Sequence, residues 1–359
     1  MLKLLDLSIF TLFILILLDS CTKDKVSEIP IPTVYEIQLP EGFPSLPLNN
    51  ENPLTKEGIA LGRRLFYDSI LSRNYTMSCA SCHNINFGFT DNNKIFSEGI
   101  NGIPGVRNSM PLYNLAYYDA FFWDGRASSI EAQALQPVPA HNEMDLAWDI
   151  AQERIRQHPE YPRLFMQAFP MQIIDSMLIT KAIAQFERTL ISGNSKFDKV
   201  KRGEAFFTDD ELEGYLLMND FNGGDCLHCH PVESNALITT LNFRNNGLDA
   251  ATTVDDFEDK GHGLVTGDPN DNGKFKVPSL RNVTLTAPYM HDGRFASLDE
   301  VLDFYSTGVK LSPTIDPKME FAASGGVNLT ATEKLQIKAF LATLTDSSFI
   351  QNPEFKNPF

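Results

Sequence analysis

The chain has 359 residues, of which 43% are hydrophobic and 21% charged, with five cysteines and a formal charge of −16. This length suggests two domains of ordinary size, each able to bury a core, and the acidic excess excludes nucleic acid as a partner because phosphates would be repelled. An acidic surface attracts basic proteins, but it also simply keeps a soluble protein solvated.

Residues 1–20 read as a signal peptide. Lys3 precedes an apolar run from Leu7 to Leu18, too short to span a bilayer and placed where the apolar region of an export signal belongs. The run ends in Leu18-Asp19-Ser20-Cys21, similar to lipoprotein signals in which the cysteine becomes the lipidated first residue; a plain cleaved signal is the alternative. Residues 21–52 are rich in proline and polar residues without a period, which reads as a tether, and folding is expected to begin near Pro53.

A helix is predicted over Glu57 to Phe66, and a polar loop then leads to Cys79-Ala80-Ser81-Cys82-His83. Two thiols at C-x-x-C spacing can add to the two vinyl groups of one haem, and the next residue, His83, is placed to ligate its iron. A second such run, Cys226-Leu227-His228-Cys229-His230, follows in the other half. A zinc site built from all four thiols, or disulfides in an exported protein, would use the same cysteines. Neither explains a histidine after each second cysteine. His228 reads as a filler of the variable slot. The two runs consume four cysteines, leaving only Cys21, so no structural disulfide remains. Covalent haem attachment in bacteria requires export, which indicates the periplasmic side of a membrane, touched through a lipid anchor only.

Ile95 to Val106 holds three glycines and a proline and is predicted as a loop. Ile179, Ile183, Phe186 and Leu190 form a helical stripe within Ile173 to Ile191 that closes a first domain, 53–192. In a second domain, 193–359, Thr208-Asp209-Asp210-Glu211 and Thr330-Ala331-Thr332-Glu333 are capping boxes, the latter opening a helix that offers Leu335, Phe340, Leu341 and Leu344. Leu298, Val301, Leu302 and Tyr305 share one inward helix face. Strand signals are scarce, so the fold class is mainly α.

An internal repeat follows the two haem runs. Arg107-Asn108, Trp123-Asp124-Gly125-Arg126 and Ser129-Ile130 come after the first; Arg281-Asn282, His291-Asp292-Gly293-Arg294 and Ser297-Leu298 come after the second. This pattern predicts two cytochrome-c-like haem domains related by internal duplication and placed face to face.

With Leu61-Gly62-Arg63-Arg64-Leu65-Phe66-Tyr67-Asp68, Phe122-Trp123-Asp124-Gly125-Arg126 and Phe275-Lys276-Val277-Pro278-Ser279-Leu280-Arg281-Asn282, the chain resembles the bacterial di-haem cytochrome c peroxidase and MauG family from about Pro53 to Thr345. The resemblance implies two covalently bound haems, the first a peroxide site and the second an electron entry point or store. Trp123 would lie between them. Glu143 matches the family's distal glutamate, which carries the peroxide proton from the near to the far oxygen, and Gln133 would hydrogen-bond the peroxide or a water. The family also places a calcium ion between the haems; Asn108, Thr286 and Pro288 match its ligands, and oxygen donors suit a hard cation. Arg126 and Arg294 are candidates for haem propionates, or braces for their own turns.

Two departures from the ordinary peroxidases, and one from MauG, mark this chain within the resemblance. Where ordinary peroxidases carry a histidine that caps the resting first haem, Gly99 stands between Glu98 and Ile100, so that haem is expected to be open. At the second iron, Tyr305 replaces the usual methionine, as in MauG. Gly224 replaces the tryptophan that MauG uses to oxidise its protein substrate, so the quinone-forming activity does not carry over. The implied function is reduction of hydrogen peroxide with electrons from a small donor, a cytochrome c or cupredoxin. The alternatives are a MauG-like oxidase that uses high-valent haem to oxidise a protein or small molecule, and a plain electron-transfer module, which Glu143 beside an open haem counts against.

Overall fold

The computed structural model describes residues 29–359 apart from 48, 92, 222 and 234. The expected signal peptide and the expected lipid site at Cys21 lie outside the described residues. Helix α1 (Lys56–Tyr67) starts at Thr55, whose hydroxyl accepts from the Gly58 N–H at 3.0 Å, a cap contributing about 1 kcal/mol. A short helix α2 (Ile130–Ala134) and the longer α3 (Ser176–Arg188) follow in the same half. The stripe predicted for α3 is buried throughout and packs on Leu61, Leu65 and Phe66 of α1. Their backbones nearly touch at Gly62, where a Cβ would lie 1.8 Å from the Ala182 carbonyl oxygen. Any side chain there would push the helices apart.

The other half repeats the device. Helices α4 (Asp209–Asn219) and α6 (Ala331–Thr343) open at the two predicted capping boxes, and a Cβ on Gly214 would lie 1.9 Å from the Gln336 carbonyl oxygen. Between them comes α5 (Leu298–Asp303). Leu335 departs from expectation: it is 62% exposed, because α6 turns Ile337, Phe340 and Leu341 inward instead. The one named sheet among the described residues is a ladder of β1 (Phe243–Arg244) and β2 (Phe275–Lys276), with Phe243 opposite Lys276.

Two main apolar cores result. One gathers Leu65, Phe66, Phe89, Tyr113, Phe165, Ile179 and Phe186; the other gathers Phe197, Met218, Ile238, Leu302, Ile337 and Phe340. The end of the chain crosses back, so that Phe349 and Phe355 pack in the first core. The reason is a buried polar knot: Asp346 accepts from Gly193 N and Asn194 N, each at 2.9 Å, while its own N–H donates to Asn282 Oδ1 at 2.8 Å. The stretch from Pro32 to Asn52 is likewise pinned to the body, earlier than Pro53. Thr33 donates twice to the Glu57 carboxylate, and Asn52 donates to Glu131 at 2.7 Å. Those are polar bonds, which leave no apolar period in the sequence.

Matching turns recur beside the two cavities described below. Phe121 bridges Ala127 and Tyr289 bridges Phe295, around Gly125 (φ +81°) and Gly293 (φ +66°). Asn114 and Asn282, both at left-handed φ, each open a 3-10 turn. In this turn geometry Asn282 matches Asn114.

Candidate active site

The first cavity has a volume of about 550 Å³, ligand-sized, and is lined by Cys79, Cys82, His83, Trp123, Gln133, Glu143 and Glu187. The short helix Cys79–Cys82 places the thiols, and His83 follows at its C-terminus. His83 Nδ1 lies 2.8 Å from the Phe89 carbonyl, which can only accept, so Nδ1 carries the proton and Nε2 keeps its lone pair. Burial lowers the ring's pKa and keeps it neutral, the state that a metal requires.

Gln133 comes from α2, and Glu143 from a braced loop in which Leu146 N donates to Val138 O at 2.8 Å and Met144 N to Pro137 O at 3.2 Å. Burial raises the Glu143 pKa, against the pull of Arg126. The loop at Gly99 lies directly behind it. Ile100 N donates to Glu143 O at 2.9 Å, and a Cβ on Gly99 would stand 2.3 Å from the Asn142 carbonyl oxygen and 2.6 Å from Glu143 N. The Gly99 loop thus meets the Glu143 segment through backbone contact.

Glu187 was not foreseen. It is 4% exposed, its Oε2 has no partner, and burial pushes its pKa up to about 8. It sits four residues beyond Ile183, so a carboxylate on the buried stripe of α3 was the available signal.

The second cavity, about 260 Å³, is lined by Cys226, Cys229, His230, Asn246, Met290 and Tyr305. Burial lowers the His230 pKa to about 4, against the pull of the Ile238 and Pro278 backbone. Leu298, Val301, Leu302 and Tyr305 all line it, although the helix loosens into a π turn over Phe304–Gly308 after α5. The Tyr305 hydroxyl accepts from Asn246 Nδ2 at 3.0 Å, and the same amide lies 3.6 Å from Met290 Sδ.

Each cavity thus offers two thiols and a neutral imidazole on its walls, the donor set of one haem c. The four cysteines are free and are split between the cavities, and no group of three or more His, Cys, Asp or Glu able to hold a metal forms among the described residues. The four-thiol zinc alternative has no site there.

Trp123 lines both cavities. Its indole N–H donates to the Asn108 carbonyl at 2.9 Å, and its own carbonyl accepts from Lys276 N at 2.9 Å. Asn108, Thr286 and Pro288 line the second cavity together. Asn108 Nδ2 donates to the carbonyls of Lys94 and Ile95, leaving Oδ1 as its acceptor. Arg126 and Arg294 are both bound to carboxylates of their own turns, Asp124 at 3.2 Å and Asp292 at 2.5 Å, which favours the bracing role.

The family model for di-haem cytochrome c peroxidase matches residues 56–206. Methylamine utilization protein MauG of Methylorubrum extorquens is 37% identical over 305 residues, 84% of this chain and 81% of that protein. Cytochrome c551 peroxidase of Nitrosomonas europaea is 35% identical over 320 residues, 88% and 86% of the two chains. The crystal structure of a MauG-like protein associated with microbial copper homeostasis superposes with a TM-score of 0.80 at 34% identity, over 90% of this chain and 99% of that one. Likeness of this extent, over a fold with two haem-binding walls, means that the chain belongs to the di-haem cytochrome c peroxidase and MauG family of oxidoreductases.

Proposed function

We propose that this protein reduces hydrogen peroxide at the His83 cavity with electrons that a small cytochrome c or cupredoxin delivers through the His230 cavity and Trp123. The observation that carries the reading is the Glu143 carboxyl, with Gln133, in one cavity with His83 and the paired thiols. Bound haem c supplies the redox-active iron. Glu143 takes the proton from the near peroxide oxygen and returns it to the far one, while the Gln133 amide donates a hydrogen bond. The indole of Trp123, in the wall common to both cavities, connects them. Tyr305 in the second cavity favours the MauG-like alternative, in which oxidising equivalents are held and spent on a protein or small molecule.

The same proposal takes the halves as duplicated domains, 53–192 and 193–359, supported by the paired glycine crossings and the paired turns. It takes Asn108 Oδ1 with the carbonyls of Thr286 and Pro288 as ligands of one calcium ion. It also places the protein on the periplasmic side of a bacterial membrane, held by a lipid on Cys21; among the described residues no helix is long and apolar enough to cross a membrane.

Anaerobic peroxide turnover with a panel of reduced cytochromes and cupredoxins tests the function. Fast donor oxidation is expected; retained oxidising equivalents with no donor use would favour the alternative. Gly99→Ala is expected to keep both haems and slow the peroxide reaction on the order of 10- to 100-fold, because its methyl must displace the Glu143 segment. An unchanged kcat/KM for peroxide would show that Gly99 does not position Glu143.

A further inference from the structure

Lys276 is 3% exposed, on β2, in the wall common to both cavities, where its N–H holds the Trp123 carbonyl. Its Nζ donates to the Ala120 carbonyl and lies 5.4 to 5.9 Å from the ring centroids of Tyr118, Phe121 and Phe243. Among the described residues no carboxylate pairs with it. A buried ammonium is costly unless it is paired, and one carbonyl with three aromatic faces is thin compensation. Burial lowers its pKa to about 8, with Asp119 and Asp124 pulling the other way from a distance.

The other cations that line the cavities are already committed or exposed. Arg107 holds Asp124 at 2.5 Å and Asp259 at 2.7 Å; Arg126 holds Asp124 and stacks 3.5 Å over the Phe122 ring; Arg244 holds Asp316; Lys318 is exposed. Among the described residues lining the cavities, Lys276 is the one buried Lys or Arg without a carboxylate. Each haem c brings two propionate carboxylates.

We propose that the Lys276 ammonium is the counter-ion of a haem propionate at the Trp123 junction, and that its charge holds up the midpoint potential of that haem. The inference rests on the two-haem reading but not on peroxide turnover. A fixed positive charge near the iron favours the state with one more electron, and at low dielectric the effect is strong. Lys276 thereby acts as a positioning and tuning residue for transfer through Trp123.

The test is spectroelectrochemical titration of the holoprotein, with haem counted by pyridine haemochrome assay. Lys276→Met and Lys276→Gln are expected to keep two haems per chain while at least one midpoint potential falls; Lys276→Arg is expected to stay near wild type. Wild-type potentials in both neutral variants would overturn the proposal, as would a fall in Lys276→Arg equal to theirs. Should only the neutral variants fail to take up haem, the charge requirement stands on haem content; failure of all three overturns it. Fewer than two haems in the wild type would instead sink the underlying reading, and the proposal with it.

Discussion

Glu143→Gln is expected to retain both haems yet lose peroxide reactivity by about 10²- to 10⁴-fold, the usual contribution of a general acid–base group. The amide matches the carboxyl in shape, and the segment is held through backbone, Ile100 N to Glu143 O and Glu143 N to Ala140 O, so the substitution leaves the loop in place. What changes is that the amide cannot accept the peroxide proton. Burial raises the Glu143 pKa, so the ionised base is lost at a higher pH than for an ordinary glutamate. The wild-type rate should therefore decline as pH falls through that raised value, and the variant's residual rate should show no such step. Stopped-flow mixing with peroxide across pH reads both effects. A variant within about threefold of wild type would remove Glu143 from this role.

The features that sequence exposed are those whose cause is local. Thr208 with Glu211 and Thr330 with Glu333 close their boxes within three residues, and each Cys-x-x-Cys-His run carries its own chemistry. The apolar stripe of α3 reads from spacing alone. Gln133 and Glu143 became legible only through the family resemblance, since a glutamate on a loop has no distinguishing local pattern. Glu187 and Lys276 escaped for the same physical reason. A charged residue reads as solvated by its type, whatever its spacing, yet these two are 4% and 3% exposed: Glu187 in the wall of the first cavity with Cys79, Lys276 beside the rings of Tyr118 and Phe121. Long-range polar clamps were equally hidden. Asp346 reaching 192–194, and Tyr113 donating to the Arg281 carbonyl, join residues far apart in sequence with no periodicity to announce them.

Replacing Tyr305 should alter the second haem in a way that distinguishes a ligand from a packing aromatic. The side chain is half-buried in the cavity wall with His230, at the π turn over Phe304–Gly308, and its hydroxyl oxygen is oriented by the Asn246 amide. Burial pushes the phenol up to about 12, so in the bare cavity it stays protonated; iron would supply the positive charge that stabilises the phenolate. A phenolate is a hard anionic donor that favours ferric iron, whereas a thioether favours the ferrous state. Tyr305→Met should accordingly raise the midpoint potential of the His230 haem, and Tyr305→Phe should change its ferric low-spin spectrum. Met290 sharpens the experiment, because its sulfur lies 3.6 Å from the same Asn246 amide and offers a soft donor beside the vacated oxygen. Tyr305→Phe combined with Met290→Leu removes both donors, and is expected to leave the second iron with His230 as its one protein ligand, a high-spin ferric signal in electron paramagnetic resonance. If Tyr305→Phe leaves both the ferric spectrum and the potential of that haem unchanged, Tyr305 is a core aromatic held by Asn246 and the MauG-like alternative loses its main support.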